Sequence, residues 1–153
     1  MIKLGKMTDY AVALLVQLAR EGAGAAKSAH YLAAQTGLPE PTAAKILKQL
    51  ARGRVVDSVR GAAGGYRLSA LPSDISVCQV VEVMDGPIAI ASCVDNTCDT
   101  SAQCPTRGKW NPVNAAIKSA LQAVTLADMD VNARPAQQQT FIQITGGTHA
   151  HIK

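Results

Sequence analysis

No stretch of the chain approaches the about eighteen consecutive apolar residues that a membrane-spanning helix needs, and no arginine-led apolar segment opens it. Neither a membrane span nor a signal peptide is expected, and the expected compartment is a reducing cytoplasm. Cysteine is scarce, with four in 153 residues. A chain of this length buries a core without disulfide staples, and in that compartment clustered cysteines more often bind metal or do redox work than form bridges. Histidine is absent near them, since His30 lies in the first half and His149 and His151 near the end. The glycine-rich run Arg60–Gly65 lacks the Gly-Lys-Ser/Thr ending of a nucleotide phosphate loop and sits between strand-like segments. That argues against an ATP site.

Charge, by contrast, is present but unevenly placed. The formal net charge is +4, yet residues 1–70 hold ten Lys/Arg against four Asp/Glu, and residues 71–153 hold five against seven. The basic surface belongs to the first half, as a polyanion partner would require.

Along that half, Tyr10, Leu14 and Leu18 recur every four residues with Ala11 and Leu15 beside them, which predicts a core helix capped by Thr8. Ser28 is the expected cap of a second helix, AHYLAAQT, which Gly37 ends in a left-handed conformation. Pro39 and Pro41 fit only the opening of a third helix, TAAKILKQLARG, because proline is tolerated in the first turn and not inside. Two short strands, about 55–59 and 66–69, flank the glycine-rich loop. Two helices joined by a tight turn and followed by a hairpin predict a winged helix-turn-helix, whose second helix enters the DNA major groove. The expected fold class is mainly α with a small β-hairpin wing, joined to a long dimerisation helix.

Double-stranded DNA is the expected partner. Glu40, Pro41 and Thr42 would face base edges and phosphates, with Lys45 and Lys48 one and two turns further on. Ser28 and Pro39 complete the helical part of the set. At the wing, Arg60 is placed to enter a narrow minor groove, and Gly61, Gly64 and Gly65 let the backbone approach DNA closely.

Beyond Pro72, Ser76-Val-Cys-Gln79 has capping-box spacing and opens a helix whose Val77, Val80, Val81 and Met84 form an apolar stripe. From about Pro105 the pattern is helical again. Trp110, Val113, Ile117, Leu121 and Val124 make a narrow, heptad-like seam that asks for a partner helix, with Trp110 as anchor. A short helix is expected from Leu126, then a loose tail containing a strand-like TFIQIT. The expected divisions are a DNA-binding domain (1–71), a linking helix and cysteine loop (72–104), a dimerisation helix with the short helix after it (105–130) and a tail (131–153).

Between the linking and dimerisation helices, CVDNTCDTSAQC places Cys93, Cys98 and Cys104 within twelve residues. Thiolates suit zinc, iron–sulfur clusters and copper(I). Structural zinc favours closer cysteine pairs or added histidines, whereas three widely spaced cysteines in a polar loop suit a cluster with its last ligand from elsewhere. Cluster, zinc and unligated or redox thiols all stay open on this ground. Cys78, beside the apolar stripe, is expected to act as a small buried hydrophobe.

In order, TDYAVALLVQLAR, GLPEPTAAKILKQL, VRGAAGGYRLS, ISVCQVVEVMDGP and the three cysteines closely resemble the Rrf-two family of bacterial winged-helix regulators. The resemblance covers about residues 1–130, and its most specific parts are the wing pattern at Arg60–Leu68 and the cysteine triad. It implies a transcriptional regulator, not an enzyme. It also implies a homodimer whose long helices, about 105–124, cross and bring the cysteine loop near the partner's DNA-binding domain. The implied cofactor is an iron–sulfur cluster, [2Fe-2S] or [4Fe-4S], on Cys93, Cys98 and Cys104. One branch of the family carries a histidine ligand three residues after the third cysteine; here Arg107 stands there, and a guanidinium cannot ligate. That departure resembles a nitric-oxide-sensing branch, while GPIAIASC and VTLADM resemble regulators of the SUF system. The signal is therefore open among iron–sulfur status, nitric oxide and redox stress. In the nitric-oxide-sensing branch an aspartate at the position of Asp9 can ligate from the other subunit, which makes Asp9 the candidate fourth ligand. A zinc-stabilised DNA-binding regulator and a small iron–sulfur redox protein are the alternatives.

Overall fold

A computed structural model describes residues 3–22, 24–99 and 103–132. The apolar recurrence near the start winds into α1 (Lys6–Arg20), which buries Ala11, Leu14, Leu15 and Leu18. This helix begins earlier than the expected cap. Gly5 takes the cap position, its carbonyl accepting from the Thr8 and Asp9 N–H groups at 3.0 and 3.1 Å, while Thr8 is buried in the first turn. Packing, not capping, occupies the Thr8 side chain: its hydroxyl has no hydrogen-bond partner among the described residues.

The next two helices start and stop where the sequence signals lie. Ser28 Oγ accepts from the Tyr31 N–H at 3.1 Å to cap α2 (Ala29–Thr36), and Gly37 closes it at φ 70°. Pro39 then caps α3 (Glu40–Arg52), with Pro41 in its first turn. Ala43, Ile46, Leu47 and Leu50 bury one face of α3 against α1, α2 and the short segment Val55–Val56. Lys45 and Lys48 stay exposed on the other side.

The wing is a hairpin of β1 (Val56–Val59) and β2 (Gly65–Leu68), with Val56 opposite Leu68 and Val59 opposite Gly65. Its free edge is partly covered. Lys27, just before α2, donates to the Tyr66 carbonyl at 2.9 Å and accepts from the Tyr66 N–H at 2.8 Å.

A 3-10 turn (Pro72–Asp74) leads into α4 (Val77–Asp85), capped by Ser76 Oγ accepting from the Gln79 N–H at 3.2 Å. The last helix, α5 (Trp110–Ala123), starts later than expected, because residues 105–109 form turns that include Gly108 at φ 70°. The helix expected from Leu126 does not form. The Val124 carbonyl accepts from the Val77 N–H at 2.8 Å and the Leu126 N–H donates to the Ile75 carbonyl at 2.9 Å, so the backbone pairs with the segment before α4. Asp128 then accepts from the Thr125 N–H and hydroxyl at 2.9 and 2.7 Å, holding a turn around the buried Leu126. Arg20 at the end of α1 holds Asp130 through both carboxylate oxygens, and this bond keeps the Asp130 carboxyl down to about 2. The tail and its TFIQIT run lie outside the described residues.

Asn114 is the buried residue of α5. Trp110, Val113 and Val124 are exposed and Ile117 and Leu121 half-buried, so the seam read from the sequence is left largely uncovered within one chain. The core itself depends on α1. Leu14→Ala removes a fully buried side chain from its centre and is expected to cost about 2–5 kcal/mol in denaturant unfolding.

Candidate nucleic-acid interface and cysteine loop

The residues expected to meet DNA fall on two adjoining elements. On α3, Glu40, Pro41, Lys45 and Lys48 are exposed and Thr42 is half-buried. Pro41, Ala44, Lys45, Lys48, Gln49 and Arg52 line a shallow depression of about 440 Å³ on the outer side of the helix, and three of them are cations. The Glu40 carboxylate lies 2.8 Å from His30 Nδ1, which links the first turns of α2 and α3. Sequence reading missed His30, because the link spans two helices and leaves no periodic trace.

At the wing, Arg60 and Gly61 are exposed at the tip, with Gly61 at φ 105° and open space around it. Gly64 and Gly65 have a tighter role. A Cβ on Gly64 would collide with the Val59 carbonyl, and one on Gly65 with the Lys27 backbone. The close approach that needs these two glycines is therefore one within the chain. Arg67 on β2 lies 3.6 Å from Asp57 on β1 and braces the two strands.

The cysteines follow α4. Cys93, Cys98 and Cys104 are half-buried. Cys93 and Cys98 line a pocket of about 410 Å³ with Asn96, Arg107, Gly108 and Asn111. Cys104 is not part of that lining. Its sulfur lies 3.3 Å from Thr106 Oγ1, and this hydrogen bond holds the thiol below its ordinary range. Among the described residues no three His, Cys, Asp or Glu side chains are gathered as a metal site. The donors fit an iron–sulfur cluster in chemical kind, as three thiols of which two line one pocket. Asp9 is exposed on α1, in a depression with Arg20, Thr36 and Met129, and does not line the cysteine pocket. Cys78 is buried in α4, and burial, with Glu82 nearby, pushes its thiol up.

Two amides that sequence reading passed over hold the segment leading into this loop. Gln49 Nε2 donates to the Val83 and Met84 carbonyls at 3.0 and 3.1 Å. Asn114 on α5 donates to the Ile88 carbonyl at 2.9 Å and accepts from the Ile90 N–H at 3.1 Å. Lys118 binds Glu82 at 2.6 Å and fastens α5 to α4.

A helical core, an exposed basic helix and a hairpin wing define a winged-helix DNA-binding regulator of transcription. The family model for Rrf2, described as an iron-dependent transcriptional regulator, matches residues 4–132, and the chain belongs to this family of non-catalytic DNA-binding proteins. A Mycobacterium tuberculosis protein named as an HTH-type transcriptional regulator is 33% identical over 137 residues, covering 88% of this chain and 84% of that one. The structure of CymR, the global cysteine regulator of B. subtilis, superposes with a TM-score of 0.69 at 26% identity, covering 84% of this chain and 96% of CymR. IscR from T. potens gives 0.61 at 30% identity, covering 84% and 85%. Members of the family typically bind DNA as dimers, and no described helix of this chain is long and apolar enough to cross a membrane.

Because Gly65 is fixed by contact with Lys27, Gly65→Ala is expected to loosen the wing and cost more than about 1 kcal/mol in thermal or denaturant unfolding. Hydrogen exchange at the Tyr66 N–H should rise in the same variant.

Proposed function

We propose that this regulator senses iron–sulfur status, nitric oxide or redox stress through an iron–sulfur cluster held by Cys93, Cys98 and Cys104. The observation that carries the reading is the shared pocket of Cys93 and Cys98, in a three-cysteine loop of an Rrf2-family chain. The bound cluster would supply a redox- and nitric-oxide-reactive iron centre. The chain's own part is to furnish thiolates, and Asp9 of a second copy is the candidate fourth ligand, since a carboxylate can bind iron and Arg107 cannot. Purified anaerobically, the protein should be brown and contain iron and sulfide. Cys93→Ala, Cys98→Ala and Cys104→Ala should each abolish stable cluster binding while preserving the fold, and Cys78→Ala should keep it. Full cluster retention in Cys98→Ala would overturn the assignment. A second reading, a direct thiol switch, is favoured by Cys104 standing outside the lining of the Cys93 and Cys98 pocket, with its sulfur 3.3 Å from Thr106 Oγ1; a colourless protein whose DNA affinity responds to thiol oxidation would support it.

On DNA, α3 serves as recognition helix. Ser28 and Pro39 to Thr42 surround its start, Lys45 and Lys48 meet phosphates, and Arg60 to Gly65 form the wing that reaches the minor groove. Arg60→Ala should weaken operator binding by about 1–3 kcal/mol, and Lys48→Ala should lower the salt slope by about one unit. Equal affinity of Arg60→Ala and the parent across operator variants would remove the wing from the interface.

A second copy of the chain covers the α5 seam, because Trp110, Val113 and Val124 are too exposed to be the inner face of a finished structure. Residues 1–71 then act as the DNA-binding unit, 72–104 as the sensing segment and 105–130 as the dimerisation unit. Ile117→Glu, which puts a charge in the seam, should give monomers in sedimentation analysis and reduce operator affinity at least about tenfold, as loss of a second half-site would.

A further inference from the structure

The last carbonyls of a helix have no partner inside it and must be satisfied from outside. In α4 that service comes from another element: Gln49 of α3 donates to both Val83 and Met84 carbonyls. Gln49 also lines the outer depression of α3 with Lys45, Lys48 and Arg52. One side chain thus borders the basic face of the recognition helix and grips the end of the helix that leads to the cysteines. The contact has little slack. Gly53, at the end of α3, lies so close to Val83 that a Cβ there would come within 2.5 Å of the valine methyls.

Farther along, Asn114 clamps the Ile88 and Ile90 backbone. Segment 83–90 is therefore held by an amide from α3 at one end and an amide from α5 at the other, and Cys93 follows three residues later. A displacement of the loop at Cys93 meets the Asn114 clamp first and then the α4 terminus. There it must either carry α3 along or break the two Gln49 hydrogen bonds.

We propose that Gln49 is a positioning residue that couples the cysteine loop to the recognition helix, so that a change at the thiols and the binding of DNA bias one shared equilibrium. This rests on the reading of the loop as the sensing end, but not on what the cysteines bind. Coupling between two sites is reciprocal: if loop modification alters DNA affinity, DNA must alter the loop to the same extent.

The test uses the full-length, cluster-free protein and a duplex that the parent selects from a random pool. Maleimide alkylation rates at Cys93 and Cys104 are measured by mass spectrometry with and without the duplex. Duplex affinity is measured before and after alkylation. In the parent, the duplex should change the alkylation rates about fivefold or more, with a matching change in affinity on alkylation. In Gln49→Met, which keeps the volume and loses the donor, both factors, each taken against the unmodified affinity and rate of that same variant, should fall to near one. Gln49→Lys, which restores a donor to the α4 carbonyls, should recover the coupling. A merely structural role would shift the unfolding midpoint and leave the two factors as in the parent. Should Gln49→Met not fold, Gln49→Glu removes the same donor with similar size. Parent-like coupling in a folded donor-less variant overturns the proposal, and so does a parent whose loop ignores DNA. Iron and sulfide content of the parent, measured separately, decides the cluster reading: brown protein without coupling keeps the cluster and loses the Gln49 joint, and colourless protein with Gln49-dependent coupling does the reverse.

Discussion

The carbonyl groups at the end of α4 set the spacing on which the rest of the molecule depends. A helix that ends half-buried against another helix is short of water on that side and gains from donors there, because a carbonyl shielded from water and left unpaired costs more than an average hydrogen bond contributes. Gln49 supplies the donors, and Gly53 allows the approach that lets it reach. The α3–α4 distance is consequently fixed by directional bonds as well as by apolar contact. Since α3 carries the basic face and α4 leads to the cysteines, this one contact places the basic helix and the segment before the cysteine loop relative to each other.

A similar economy governs the wing. A two-stranded hairpin is marginal by itself in water. Here Lys27 adds a pair of backbone bonds to the outer side of β2, and Arg67 and Asp57 brace the strands across the face. Gly64 and Gly65 are needed because backbone meets backbone where their side chains would be. Arg60 and Gly61 then project from a rim whose position is set by α2 as well as by the hairpin. The start of α3 is tied to α2 in the same way through Glu40 and His30.

The region after α4 is organised differently. Its apolar seam on α5 is largely uncovered, and Asn114 is spent on backbone groups of the preceding segment. Two thiols share a pocket with Arg107 and the third is engaged by Thr106. A single chain thus buries the apolar faces of its first four helices and leaves one face of the fifth largely exposed.

The helical core and the hairpin wing were legible along the chain. Those rest on local rules: four-residue recurrence in α1, prolines that can only open α3, Ser28 and Ser76 as caps, and Gly37 at a left-handed closure. The three cysteines stand out in the sequence because they are close along the chain, but Cys104 lies outside the pocket that Cys93 and Cys98 line. Thr8 was misread because capping propensity cannot register that the side chain is wanted in the core. The segment from Leu126 was misread because its backbone partners, Ile75 and Pro72, are more than fifty residues away in sequence. Which amides hold the segment before the cysteines is visible only in the folded chain. Gln49 and Asn114 look like ordinary polar residues on amphipathic helices, and their partners are carbonyl and amide groups that every residue carries, so no side-chain pattern announces them. The same reason explains the wing glycines: the sequence marks Gly64 and Gly65 as special, but the obstacle that requires them, the Lys27 and Val59 backbone, exists only once the chain has folded.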